Sequence, residues 1–95
     1  MQLARVVGSV VATAKTSGLD GRTLLVVVPV AVSDQPDSDG YVAVDRVGAG
    51  TGELVLVTRG SAARRAAGAD VEIDAVVVAI VDRVDVPGLD LERPR

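Results

Sequence analysis

The chain has 95 residues, a net charge of −3, no cysteine, no histidine and one aromatic residue, Tyr41. These counts bound a single domain and exclude disulfides, thiolate metal centres and the usual histidine zinc sites. The acidic balance, with both signs interspersed, also argues against a nucleic-acid surface, which takes a basic stripe.

Apolar residues make up 48% of the chain and are dominated by Val, Ala and Leu. Aliphatic burial contributes about 25 cal/mol per Å², so a small core without large rings, disulfides or metals favours association with further copies. The longest apolar run, at 24–32, is far short of the roughly 20 residues that span a bilayer, and no membrane partner is expected. Arg5, the apolar residues after it and the small residues at 12–14 imitate a secretion signal. Gly8 and Ser9 interrupt that stretch and its removal would delete a good strand, so the chain is expected to be cytoplasmic.

In chain order, β-branched Val marks the strands. The first is predicted over residues 2–14, with a bend or bulge at Gly8. A glycine-punctuated polar loop at 15–21 follows. The second strand, 23–32, contains Pro29, which predicts an edge position or a bend there. Residues 33–40 read as an exposed acidic loop, 41–47 as the third strand and 53–59 as the fourth. A short helix is predicted over 61–67, with Ser61 as N-cap and Gly68 just beyond its end. The last strand is predicted over 70–86, and 87–95 reads as a polar tail, leaving 1–86 as the domain proper. Short strands with one brief helix between the fourth and fifth predict an all-β fold, a five-stranded OB-like barrel.

Strands of a small barrel should alternate, apolar inward and polar outward. Residues 24–32 and 75–81 are instead apolar throughout. Continuous apolar strands are buried on both faces, so a second copy of the chain is expected to cover the outer one; the loop at 15–21 or the tail is the alternative cover.

Between the third and fourth strands lie three alternating glycines, Gly48, Gly50 and Gly52, followed by Glu53. A dinucleotide loop needs Gly-x-Gly-x-x-Gly between a strand and a helix, with helix N–H groups on the pyrophosphate. Here the third glycine comes a residue early and the chain runs on into a strand. Neither a nucleotide cofactor nor a P-loop is expected. Nucleophilic catalysis without His or Cys would fall to serine with Lys15, in a glycine-flanked loop, or to carboxylates. Asp45, Glu53, Asp74 and Asp82 at strand ends read more simply as ion-pair partners for Arg46, Arg59, Arg64 or Arg83. No catalytic residue, cofactor or metal site is predicted. The OB-like reading leaves one alternative function, a module for single-stranded nucleic acid. It lacks the stacking aromatics and basic groove that such modules use.

Four segments together resemble one known family. They are ARVVGSVVAT at 4–13, AVDRVGAGTGE at 43–53 with LVLV at 54–57, GSAAR at 60–64, and DAVVVAIVD at 74–82. In this order they resemble the EutN/CcmL family of bacterial microcompartment vertex proteins. That family often has a second serine after Gly-Ser, where this chain has Ala62. The resemblance implies a non-enzymatic shell protein that forms a homopentamer and caps the vertices of a shell. Its partners would be hexameric, and secondarily trimeric, shell proteins within the cytoplasm, with no nucleic acid and no membrane. It further implies that Gly48, Ala49, Gly50, Gly52 and Glu53, with Ser61 and Arg64 of the helix, contribute to contacts with neighbouring tiles. Small residues let backbones approach closely, and Glu53 and Arg64 would add charge-assisted bonds at that rim.

Overall fold

The computed structural model describes residues 1–13, 19, 21–30, 40–67, 73–87 and 89–92, with Arg64 and 89–92 described by backbone alone. The expectations for Lys15, the acidic loop at 33–39, Gly68 and the chain end at 93–95 fall outside these residues. The elements are β1 (Gln2–Val10), β2 (Thr23–Pro29), β3 (Tyr41–Asp45), β4 (Leu54–Arg59), α1 (Ser61–Ala67), β5 (Ala75–Ile80), β6 (Arg83–Val86) and β7 (Leu89–Glu92).

The first five strands close a barrel in the order β1-β2-β3-β5-β4. All its pairs are antiparallel except β3 with β5, which run parallel with Val44 opposite Val76 and Asp45 opposite Val77. A parallel pair needs a crossover between its strands; here β4 and α1 supply it. The interior is filled by Ala4, Val6, Leu25, Val27, Ala43, Val55, Val57, Ala75 and Val77, each at most 4% exposed. Barrel diameter grows with strand number, and five strands leave room for small aliphatic side chains only. The absence of Phe and Trp is thus matched to the bore.

β1 carries the expected irregularity. Val6 opposes Val27 and Gly8 opposes Val26, so Val7 is the extra residue and is 51% exposed. Pro29 was expected at an edge or a bend, but a closed barrel has no edge. It stands instead at the last position of β2, buried and opposite Ala4.

A second cluster lies outside the barrel wall, where Ala63 and Ala67 of α1 meet Val44, Val76 and Ile73. Positions four apart share a helix face, so these alanines cover Val44 and Val76 together. This corrects the sequence expectation: the outer face of β5 at Val76 is covered by the chain's own helix rather than by a second copy. Leu19 and Leu24 pack against the same cluster. Along β2 burial alternates, with Leu25 and Val27 buried and Val26 and Val28 half-buried.

A helix of seven residues is marginal by itself. Arg46 Nη1 donates to the carbonyls of Ala66 and Ala67 at 3.0 and 2.9 Å, and Arg22 Nη2 to Ala67 at 3.3 Å. Cations on terminal carbonyls satisfy them and complement the helix dipole. Arg46 therefore caps a helix rather than pairing with a carboxylate as the sequence reading expected. At the other end Gly60, with φ of 68°, precedes the helix and its carbonyl accepts from Ala63 N–H at 3.0 Å. The cap position is Gly60, and Ser61 is the first helical residue.

Residues 70–86 are not one strand. Ile80 opposes Val55, and Val81 N–H donates to Leu54 O at 2.8 Å. β4 begins at Leu54, so beyond Val81 the chain has no further β4 residue to pair with. It leaves the wall and, as β6, pairs with β7 in a separate two-stranded sheet.

Candidate functional site

The glycine loop joins β3 to β4 at one end of the barrel. Asp45, the last residue of β3, organises it. Its Oδ1 accepts from the N–H groups of Val47 and Gly48 at 3.0 and 3.2 Å, and its Oδ2 from Ala49 at 3.0 Å. An aspartate that gathers the amides following it fixes a turn locally. The second half of the loop is held by Glu53. Its Oε1 accepts from Gly50 N–H at 2.8 Å, and its own N–H donates to Gly50 O at 3.1 Å.

The loop is then tied to β1. Gly52 N–H donates to Val6 O at 2.8 Å, Val6 N–H donates to Glu53 O at 2.9 Å, and Arg5 Nη1 reaches Gly52 O at 2.8 Å. Ala49 is half-buried and packs against the barrel core. Arg46, Val47, Gly48 and Thr51 are the exposed positions.

The three glycines are not equivalent. Gly48 and Gly52 have φ of 77° and 93°, whereas Gly50 is not in the left-handed region. A Cβ on Gly48 would meet nothing within 4 Å, so backbone conformation alone demands glycine there. On Gly50 a Cβ would stand 3.5 Å from Glu53 Oε1, an ordinary contact. Backbone conformation accounts for Gly48 and Gly52 and not for Gly50.

The structure gathers Gly48, Ala49, Gly50, Gly52 and Glu53 into one loop but does not bring Ser61 to it. β4 runs away from the loop, and Ser61 follows its far end, next to Gly60, whose N–H donates to Asp74 O at 2.9 Å. Arg64 lies between these ends on the backbone of α1. The Glu53 carboxylate is engaged within its own loop. Sequence reasoning treated Asp45 as an ion-pair partner and passed over Arg5. The signal for Asp45 was present, an aspartate closing an apolar run and three residues before a glycine; nothing marked Arg5.

At the opposite end of the barrel, Tyr41 O–H donates to Gln2 Oε1 and the Arg59 guanidinium lies 4.2 Å from the Tyr41 ring centroid. Arg59 also stands 4.0 Å from the Asp74 carboxylate, one of the ion pairs expected from sequence. Burial pushes the Tyr41 hydroxyl above its ordinary pKa, with Arg59 opposing and Asp74 adding to the rise. This group reads as a plug on the barrel end and not as a reactive centre: the arginine is spread over a ring and paired with a carboxylate.

The described residues thus form a closed five-stranded barrel with an internally hydrogen-bonded loop between β3 and β4. Residues 1–82 match the model of the EutN/CcmL family, described as ethanolamine utilisation protein EutN/carboxysome. The chain is 49% identical over 86 residues to the bacterial microcompartment shell vertex protein GrpN of Rhodospirillum rubrum, covering 90% of this chain and 97% of that one. It is also 49% identical over 96 residues to the carboxysome shell vertex protein CcmL of Synechocystis, covering 100% and 96% respectively. Its fold is similar to the solved GrpN pentameric microcompartment shell protein of R. rubrum, with a TM-score of 0.79, 46% identity, and 90% and 98% of the two chains covered. The chain belongs to the EutN/CcmL family.

Proposed function

We propose that the chain forms a pentamer that caps the vertices of a bacterial microcompartment shell. It is a structural tile and not an enzyme. Near-complete coverage at 49% identity by relatives named as shell vertex proteins carries this reading. Tiles of six-fold symmetry alone extend as flat sheets, and a five-fold tile among them forces curvature and closure. A ring of five follows from a head-to-tail contact whose rotation closes. The partners are then four further copies of this chain and the hexameric tiles around each vertex, and the location is the shell, within the cytoplasm. Native mass spectrometry tests the ring: a species of five subunits is expected, and a stable monomer, dimer or hexamer would overturn the reading.

In this reading the loop carrying Gly48, Ala49, Gly50, Gly52 and Glu53 meets the neighbouring hexameric tiles. Its internal hydrogen bonds support that role, because a preordered loop loses little freedom on contact. So does Gly50, a glycine that its own backbone conformation does not require. Ser61 and Arg64 would contribute from a separate surface along the helix. Gly50→Arg should leave the ring intact and stop shell closure when the protein is co-expressed with hexameric tiles. Normal closure with that variant would remove the loop from the contact.

A further inference from the structure

The seam between β3 and β5 is the shortest join in the barrel. The two strands pair at two positions, Val44 with Val76 and Asp45 with Val77, whereas every other neighbouring pair of barrel strands has at least four. Parallel pairing is also slightly less stable per residue than antiparallel. Ahead of the paired positions the ladder gives way to a cavity of about 200 Å³, bordered by Val42 and Ala43 of β3 and by Asp74 and Ala75 at the start of β5.

α1 lies across this seam. Its Ala63 and Ala67 pack on Val44 and Val76, the residues that stand opposite each other over the join. The helix is tied to both sides. At its start, Gly60 N–H donates to Asp74 O at 2.9 Å, on the β5 side. At its end, Arg46 Nη1 donates to the carbonyls of Ala66 and Ala67, and Arg46 directly follows β3. A seven-residue helix has little stability of its own, so the groups that tie its ends decide how firmly it covers the seam.

Arg46 is also the neighbour of the residue that shapes the glycine loop. The Asp45 backbone is held between Thr23 of β2 and Val77 of β5, while its carboxylate gathers the amides of Val47, Gly48 and Ala49. Arg46 N–H extends the seam with a bond to Val77 O at 3.3 Å. Two consecutive residues on the seam therefore hold the loop with one side chain and the helix with the other. Arg46 is exposed, so its hold on the helix competes with water and is released without disturbing the core.

We infer that Arg46 is a positioning residue for the glycine loop and acts through α1. Its bonds to the helix end keep the β3–β5 seam shut, and the shut seam keeps Asp45 where it orders Val47, Gly48 and Ala49. The use of this coupling in tile contact rests on the loop reading above; the coupling itself does not. Coupling between two sites is reciprocal: contact that orders the loop steadies α1, and loosening α1 costs the loop its fixed contour. The two candidate contact surfaces, the loop and the helix carrying Ser61 and Arg64, then respond as one unit. A guanidinium that only capped α1 would leave the loop untouched.

Residue-resolved amide hydrogen exchange of the full-length protein separates these cases. Arg46→Met removes the charged donor and keeps the bulk. Exchange should speed up at Ala66 and Ala67 and also at Val47, Gly48 and Ala49, by about three- to tenfold, the range for losing one hydrogen bond. Protected amides of β1, opposite the seam in the closed strand order, should not change. Arg46→Lys, which keeps a cation for the carbonyls, should restore most of the protection at both places. In the reverse direction, Asp45→Ala should speed exchange at Ala66 and Ala67. Faster exchange confined to α1, equal acceleration of the loop and β1, or an unaltered helix in Asp45→Ala would each overturn the coupling. With hexameric tiles co-expressed, Arg46→Met should lower the yield of closed shells and Arg46→Lys should recover it. Normal closure with Arg46→Met, where Gly50→Arg blocks it, would overturn the role of Arg46; normal closure with Gly50→Arg would instead overturn the tile contact of the loop.

Discussion

The glycine loop offers a clean separation of two reasons for having glycine. Gly48 has φ of 77° with open space where a Cβ would go, so Gly48→Ala isolates the cost of a left-handed backbone. That cost is roughly 1–2 kcal/mol for a residue carrying a Cβ. Gly50 lies outside that region and its Cβ would make only an ordinary 3.5 Å contact with Glu53 Oε1. Gly50→Ala should therefore leave stability unchanged or raise it by about 0.4–1 kcal/mol, through reduced freedom of the unfolded chain. For a domain of this size 1 kcal/mol moves Tm by roughly 4–8 °C. Gly48→Ala should lower Tm by ~4–16 °C, and Gly50→Ala should not lower it.

Far-ultraviolet circular dichroism is the suitable probe, since the chain has no tryptophan. All variants must be compared at one subunit concentration, because ring formation stabilises the folded chain by mass action. Equal destabilisation by the two substitutions would refute the argument, since it would mean that Gly50 is also conformationally constrained. A neutral Gly48→Ala would refute it from the other side.

Two further outcomes follow from named contacts. Asp45→Ala removes the acceptor of three backbone N–H groups; the change should destabilise by roughly 1–3 kcal/mol and speed amide exchange at Val47, Gly48 and Ala49, and unchanged exchange there would show that the loop orders itself without the carboxylate. Tyr41 is the sole tyrosine, so its phenolate absorbance reports one group. Burial raises its pKa in the folded chain, so the folded state holds the proton longer than the unfolded one. The associated stability is present below the ordinary tyrosine pKa and is lost as pH rises through the folded value. The titration midpoint should lie above that of a free tyrosine and fall back to it in denaturant; a midpoint at or below the free value would place the hydroxyl in water.

The barrel was legible because a valine-rich chain leaves few alternatives. Gly8 announced the bulge in β1, and the Ala-Arg run after Gly60 announced α1 to the residue. The role of α1 was not legible: only the barrel's closure shows that Ala63 and Ala67 stand over Val44 and Val76. The sheet of β6 and β7 was missed for a different reason. Arg83-Val84-Asp85-Val86 and Leu89-Asp90-Leu91-Glu92 alternate on either side of Pro87-Gly88, but the apolar run at 75–81 leads straight into the first of them. A continuous run conceals the point where a strand loses its neighbour, and here that point is set by where β4 begins. Among the site residues, the glycine spacing was visible in sequence, while the difference between Gly48 and Gly50 is a matter of φ and appears only in the structure.

The hydrogen bonds of the loop say what kind of work it does. Asp45 and Glu53 accept from Val47, Gly48, Ala49 and Gly50, and β1 holds Gly52 from two sides. Carboxylates committed to neighbouring amides are not aimed outward at a ligand, and Ala49 is turned toward the core. Between Gly48 and Gly52 such a loop presents a fixed backbone contour on which Thr51 is the exposed side chain. A contour suits contact with another backbone, where rigidity limits the entropy lost on association and a glycine without conformational need leaves room for approach. Gly50 is the position that matters most for such contact. A larger residue there should be tolerated by the isolated ring and felt only when tiles meet, which is the asymmetry that Gly50→Arg is designed to expose.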